Sequence, residues 1–137
     1  MKIKETKLRK FIRKQLIKEG YGDFARTPEV QAMLVDAGFG ADGLSDADGY
    51  PGPEGWMMYS PESIEDAAGW IEAAIAMNQA LKDAEAALNA GEFRTGQDAF
   101  YEIVYPVQTN YSKHGASDTE GREVAGDWLE NQGFEWS

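Results

Sequence analysis

The sequence predicts an all-α fold, a bundle of four to five helices carrying one long Gly/Asp/Pro-rich loop. Apolar residues recur at helical spacing in several separate segments. These segments are bracketed by helix-starting and helix-stopping residues, and none shows the apolar/polar alternation of a strand. The charge is also unevenly placed. Residues 1–19 carry eight basic and two acidic side chains, +6, whereas residues 20–137 carry five basic and 22 acidic ones, −17. The chain therefore divides into a basic amphipathic N-terminal helix, 1–19, and an acidic helical domain, 20–137.

In the first helical segment, TKLRKFIRKQLIKEG, Thr6 is placed to cap and Gly20 to end the helix. Leu8, Phe11, Ile12 and Leu16 share one face, and basic residues cover the rest. TPEVQAMLVDAG follows, with Thr27 as cap, Pro28 at the first helical position and Gly38 as the stop. Its apolar face is Val30, Leu34 and Ala37. Residues 38–60 exceed an ordinary connection, so they are either functional or held down by their own aromatics. A long helix is then predicted to open on Ser60–Pro61 and to run to Asn89 or Ala90 before Gly91. It carries two stripes, Ile64/Ala67/Ile71/Ile75 and Trp70/Ala74/Met77/Leu81/Ala84/Leu88, as the central helix of a bundle does. Another helix is expected from Gly96 to Tyr111 on Phe100, Ile103, Val104 and Val107, kinked or broken by Pro106. The last opens on the capping-box pattern Ser117–Glu120, carries Val124, Trp128 and Leu129 inward, and stops before Gly133.

Composition narrows the class. At 137 residues, with 42% apolar and 12% aromatic residues, the chain builds one small domain with a core, unlike a disordered acidic chain. Without cysteine it has no disulfides and no thiolate metal site. The N-terminus lacks the apolar run of a secretory signal, and no stretch approaches the roughly 18 apolar residues of a membrane span. A soluble protein, in a virion or a host cytoplasm, is the expectation. Nucleic-acid binding by the acidic body is disfavoured, because phosphate contact needs Lys and Arg.

Chemistry-bearing motifs give little. Gly38, Gly40 and Gly43 of GFGADG match the dinucleotide fingerprint, but they follow a helix and lead into loop, where that motif has no purpose. LSDADGYPGPEG resembles the start of a calcium loop. With Gly49 at its sixth position, however, the first and twelfth positions are Leu44 and Gly55, which leaves only an irregular set of Asp42, Asp46, Asp48 and Glu54. Turns made by Asp side chains are the better account. His114 is the only histidine, and no nucleophile motif accompanies it. No catalytic residue, metal site or cofactor is assigned, and the chain reads as a non-enzyme. Of the aromatics, Tyr50, Trp56 and Trp136 look exposed enough to anchor an interface.

The basic leader thus carries the functional reading. Met1, Lys2, Ile3, Glu5, Leu8, Arg9, Ile12 and Arg13 of MKIKETKLRKFIRKQLIKEG fit a pattern of Met-Lys-Ile-x-Glu-x-x-Leu-Arg-x-x-Ile-Arg. In this it resembles the leaders on small proteins of large contractile-tailed phages, many of them marine, including internal head proteins. The resemblance covers about the first fifth of the chain. It implies a targeting helix followed by a prohead-protease site, for which Glu19 and Gly20, after Ile17-Lys18, are the candidates. The expected function is a non-enzymatic, virion- or assembly-associated phage protein. It would dock on a protein partner, a capsid or other virion component or a host protein, through Leu8, Arg9, Phe11, Ile12, Arg13 and Leu16. The alternative is an acidic inhibitor that mimics DNA towards a host DNA-binding or defence protein. Membrane-surface binding, nucleic-acid binding (for which the acidic body would repel the same phosphates) and a clasp across the chain's own domain are the other readings of the basic segment.

Overall fold

A computed structural model describes residues 23–111 and 118–137, and these residues form an all-α fold. The order is a short 3-10 turn (Asp23–Arg26), α1 (Pro28–Asp36), α2 (Ile64–Asn89), α3 (Gly96–Ala99), a π-helical turn (Phe100–Val104), α4 (Tyr105–Asn110) and α5 (Asp118–Asn131). The basic leader, Ser117 and His114 lie outside the described residues.

The long helix α2 is the axis. It packs against α1 and against the run from α3 to α4, and α5 packs on that run. Its stripe of Trp70, Ala74, Met77, Leu81, Ala84 and Leu88 is buried, and the alanines of that face let the neighbouring elements approach closely. Removing Met77, Leu81 and Phe100 from water stabilises the fold by roughly 1.5–3 kcal/mol each. The other stripe is only half internal. Ala67 and Ile71 are buried, but Ile64 and Ile75 are each 48% exposed. At 100° per residue those two isoleucines sit at the border of the buried arc, beside the solvent face of Glu65, Ala68 and Glu72.

Three helices stop in one way. The N–H groups of Phe39, Glu92 and Phe134 donate to the carbonyls of Leu34, Ala87 and Leu129. The intervening Gly38, Gly91 and Gly133 have φ of 95°, 77° and 98°. Each is a glycine-closed C-terminus that satisfies the last carbonyls, as the sequence signals predict. The starts agree less well. Thr27 makes no side-chain cap; its hydroxyl donates back to the Phe24 carbonyl at 2.9 Å. The long helix begins three residues beyond Pro61, because Ser63 supplies the cap, its Oγ accepting from the Asp66 N–H at 3.0 Å.

Pro106 neither breaks nor ends the helical course. A proline ring meets the carbonyl four residues back, here Glu102. The turn just before it is widened into the π form, in which the Tyr105 N–H donates to the Phe100 carbonyl. At the C-terminus, the Gly96 and Gln97 N–H groups donate to the Glu135 and Trp136 carbonyls at 2.7 and 2.8 Å. The tail therefore satisfies the first turn of α3, and the Trp136 ring lies over Gly126 and near Phe100.

Candidate functional site

None of the leader residues Leu8, Arg9, Phe11, Ile12, Arg13 and Leu16, nor the Glu19–Gly20 junction, falls among the described residues. What the described residues present is a packed loop and the surface it builds beside α2.

The loop joining α1 to α2 is a structural element. Short antiparallel bridges, Phe39 with Asp46 and Ser45 with Pro51, fold it on itself, and residues 51–58 are all buried. Gly52 and Gly55 make this packing feasible. A Cβ on either would collide with the backbone carbonyls of Gly43 and Leu44, so the chain approaches itself as only glycine permits. Trp56 corrects the sequence expectation most sharply. It is 0% exposed, and its indole N–H donates to Asn78 Oδ1 at 2.8 Å. Asn78 Nδ2 in turn donates to the Pro51 carbonyl at 2.7 Å. That chain of bonds ties the loop to α2, so Trp56 is an internal anchor and not an interface one. Trp136, in the tail, is half-buried with its ring against Gly96 and Gly126. Tyr59, which no sequence signal marked as an anchor, is the most exposed large hydrophobic side chain among the described residues, at 68%.

The aspartates hold the loop's own turns. Asp42 Oδ1 accepts from the Leu44 N–H, and Asp46 Oδ1 accepts from the N–H groups of Asp48 and Tyr50. Glu54 is buried. Among the described residues no three His, Cys, Asp or Glu side chains come together to hold a metal ion, so the irregular calcium set does not assemble.

Tyr50 is half-buried instead of free. It packs on Trp128 with ring centroids 4.3 Å apart, and the Lys82 ammonium lies 4.9 Å from the centroid of its ring. Its hydroxyl donates to Glu85, which also accepts the Trp128 indole N–H. Burial, then the Glu85 hydrogen bond and the negative charge of Glu85, Asp46 and Asp48, push the Tyr50 hydroxyl up to about 12. This cluster joins α2, α5 and the loop.

Between the end of α1, the loop and α2 runs an open groove of about 350 Å³. Ala37, Ala47, Ile75 and the nearly buried Phe39 line it together with the charged Asp46, Asp48 and Lys82. No sequence signal marks this groove, because Phe39 and Ala47, in the loop, meet Ile75, on α2, only in the tertiary structure. Comparison with protein-family models, with curated proteins and with solved structures finds no match for this chain. No helix among the described residues is long and apolar enough to cross a membrane.

Proposed function

We propose that the protein is a non-enzymatic assembly or interaction protein of a phage, whose basic N-terminal helix docks on a protein partner while the acidic domain is carried as cargo, spacer or second contact surface. One observation carries the reading: +6 in residues 1–19 against −17 in the rest, with Leu8, Phe11, Ile12 and Leu16 aligned on one face of the basic segment. An amphipathic helix of this kind fits a groove on a partner with an acidic rim, where apolar anchors give affinity and charge gives orientation and rate. The phage assignment rests on the leader's resemblance alone, as does a virion or host-cytoplasm location. The test is to exchange Phe11 and Leu16 for Asp in the full chain and to measure its incorporation into particles or its binding to capsid protein. Loss of association is expected; undiminished association rejects the proposal.

A second reading, an acidic mimic of DNA, draws support from Glu65, Glu72 and Asp83, exposed on one face of α2. The first two lie about 10 Å apart along the axis. It predicts salt-sensitive inhibition of a DNA-binding protein that is lost when these carboxylates are made amides.

A further inference from the structure

We infer that the exposed face of α2 is a docking surface for a basic amphipathic helix of a partner protein. The apolar side of that helix lies along Ile64 and Ile75, and its Lys and Arg side chains meet Glu65, Glu72 and Asp83. The inference does not depend on the leader. It parts from the DNA-mimic reading, which uses the same carboxylates, because it requires the isoleucines as well.

Helical spacing builds the face. Ile64 and Ile75 are close to three full turns apart, so they lie on one line, separated by about 16 Å along the axis. Each is 48% exposed on a helix whose other large apolar side chains are buried, so no described element covers this line. Ala68, between the two isoleucines, is also exposed and adds no bulk. A partner helix can therefore pack closely there. With 26 residues α2 is about 39 Å long, enough to seat a partner helix of several turns.

Charge decides the occupant. Glu65, Glu72 and Asp83 are exposed on a second line, about 80° round the helix from the isoleucines. Lys82 is the one basic residue of α2, and its ammonium lies 4.9 Å from the centroid of the Tyr50 ring, on the side of the loop. An apolar line beside a carboxylate line disfavours a second copy of this domain, whose charge is −17. It matches a helix with Leu or Ile on one side and Lys or Arg on the next. Long basic side chains lay their stems against apolar surface while their charged heads reach the carboxylates.

Fluorescence anisotropy with the full chain tests this. The probe is a labelled peptide of about 18 residues, made of Leu and Lys in an order that gives one apolar and one basic helical face, at about 0.15 M salt. It should bind at least about tenfold more tightly than a scrambled peptide of equal composition. Ile64→Ser with Ile75→Ser should weaken binding at least about tenfold. Glu65→Gln with Glu72→Gln should weaken it as well and flatten its salt dependence. Glu29→Gln with Glu92→Gln, which removes equal charge at exposed positions outside α2, should leave it unchanged. Ala68→Arg, which adds bulk and a repelling charge to the same line, replaces the serine pair if that variant fails to fold. Absent binding, equal binding of the scrambled peptide, or binding that survives the α2 substitutions overturns the inference. Binding lost with the amides but kept with the serines also overturns it and leaves the carboxylates to the DNA-mimic reading. Self-association of the chain alone, abolished by the serine pair in sedimentation, overturns it by assigning the face to a second copy.

Discussion

Asn78 shows how one buried polar side chain fixes a loop. Its carbonyl receives the Trp56 indole N–H, and its amide reaches the Pro51 carbonyl. Replacing it by Ala leaves a buried donor and a buried acceptor unsatisfied, at a cost of about 3 kcal/mol. A chemical-denaturation midpoint that barely moves would show that the bonds carry little. Tyr50 makes a pH-dependent contribution. The unfolded chain loses this proton near 10.0, whereas the folded chain holds it to about 12. Between these values the unfolded state binds fewer protons, so stability falls as pH rises. Below that window the contribution is fully present. Tyr50→Phe should therefore flatten the decline in melting temperature above pH 10; an unchanged alkaline slope would place the effect elsewhere.

At the level of elements, glycines serve two distinct purposes. Gly91 closes α2 with φ of 77° and open space around it, so Ala there bears only left-handed strain of about 1–2 kcal/mol. At Gly52 a Cβ would press into the Gly43 backbone, which has no side-chain freedom to yield. Gly52→Ala should cost roughly 3 kcal/mol or more and loosen residues 43–58, with the larger loss at Gly52 than at Gly91. Comparing the two melting curves checks this, and equal losses would contradict the close approach. The same distinction governs the helices. Their glycine ends fall where local signals put them, but the start of α2 shifts to Ser63 and Pro106 is absorbed by a π turn.

For the whole molecule, charge dominates. The domain's carboxylates exceed its cations by 17, and few of them are buried. Mutual repulsion opposes the compact state and is screened once the Debye length falls from about 30 Å at 0.01 M salt to about 10 Å at 0.1 M. The melting temperature should accordingly rise by several degrees as salt is added, in scanning calorimetry at fixed pH. A fall would mean that attraction between leader and domain outweighs repulsion within the domain.

By itself the sequence determined the all-α class, the glycine stops at 38, 91 and 133 and the inward stripe from Trp70 to Leu88, because these depend on spacing and short-range backbone chemistry. It also determined the division of charge on which the proposed docking rests. Only the tertiary structure decided the rest. Trp56 became internal because Asn78, 22 residues away, offers its indole an acceptor. Ile64 and Ile75 were left at the surface because the buried arc of α2 ends beside them. The loop became a packed wall of a groove because Gly52 and Gly55 let its backbone close on itself. Burial of a given side chain is set by what arrives against it from distant sequence, and helical periodicity carries no record of that arrival.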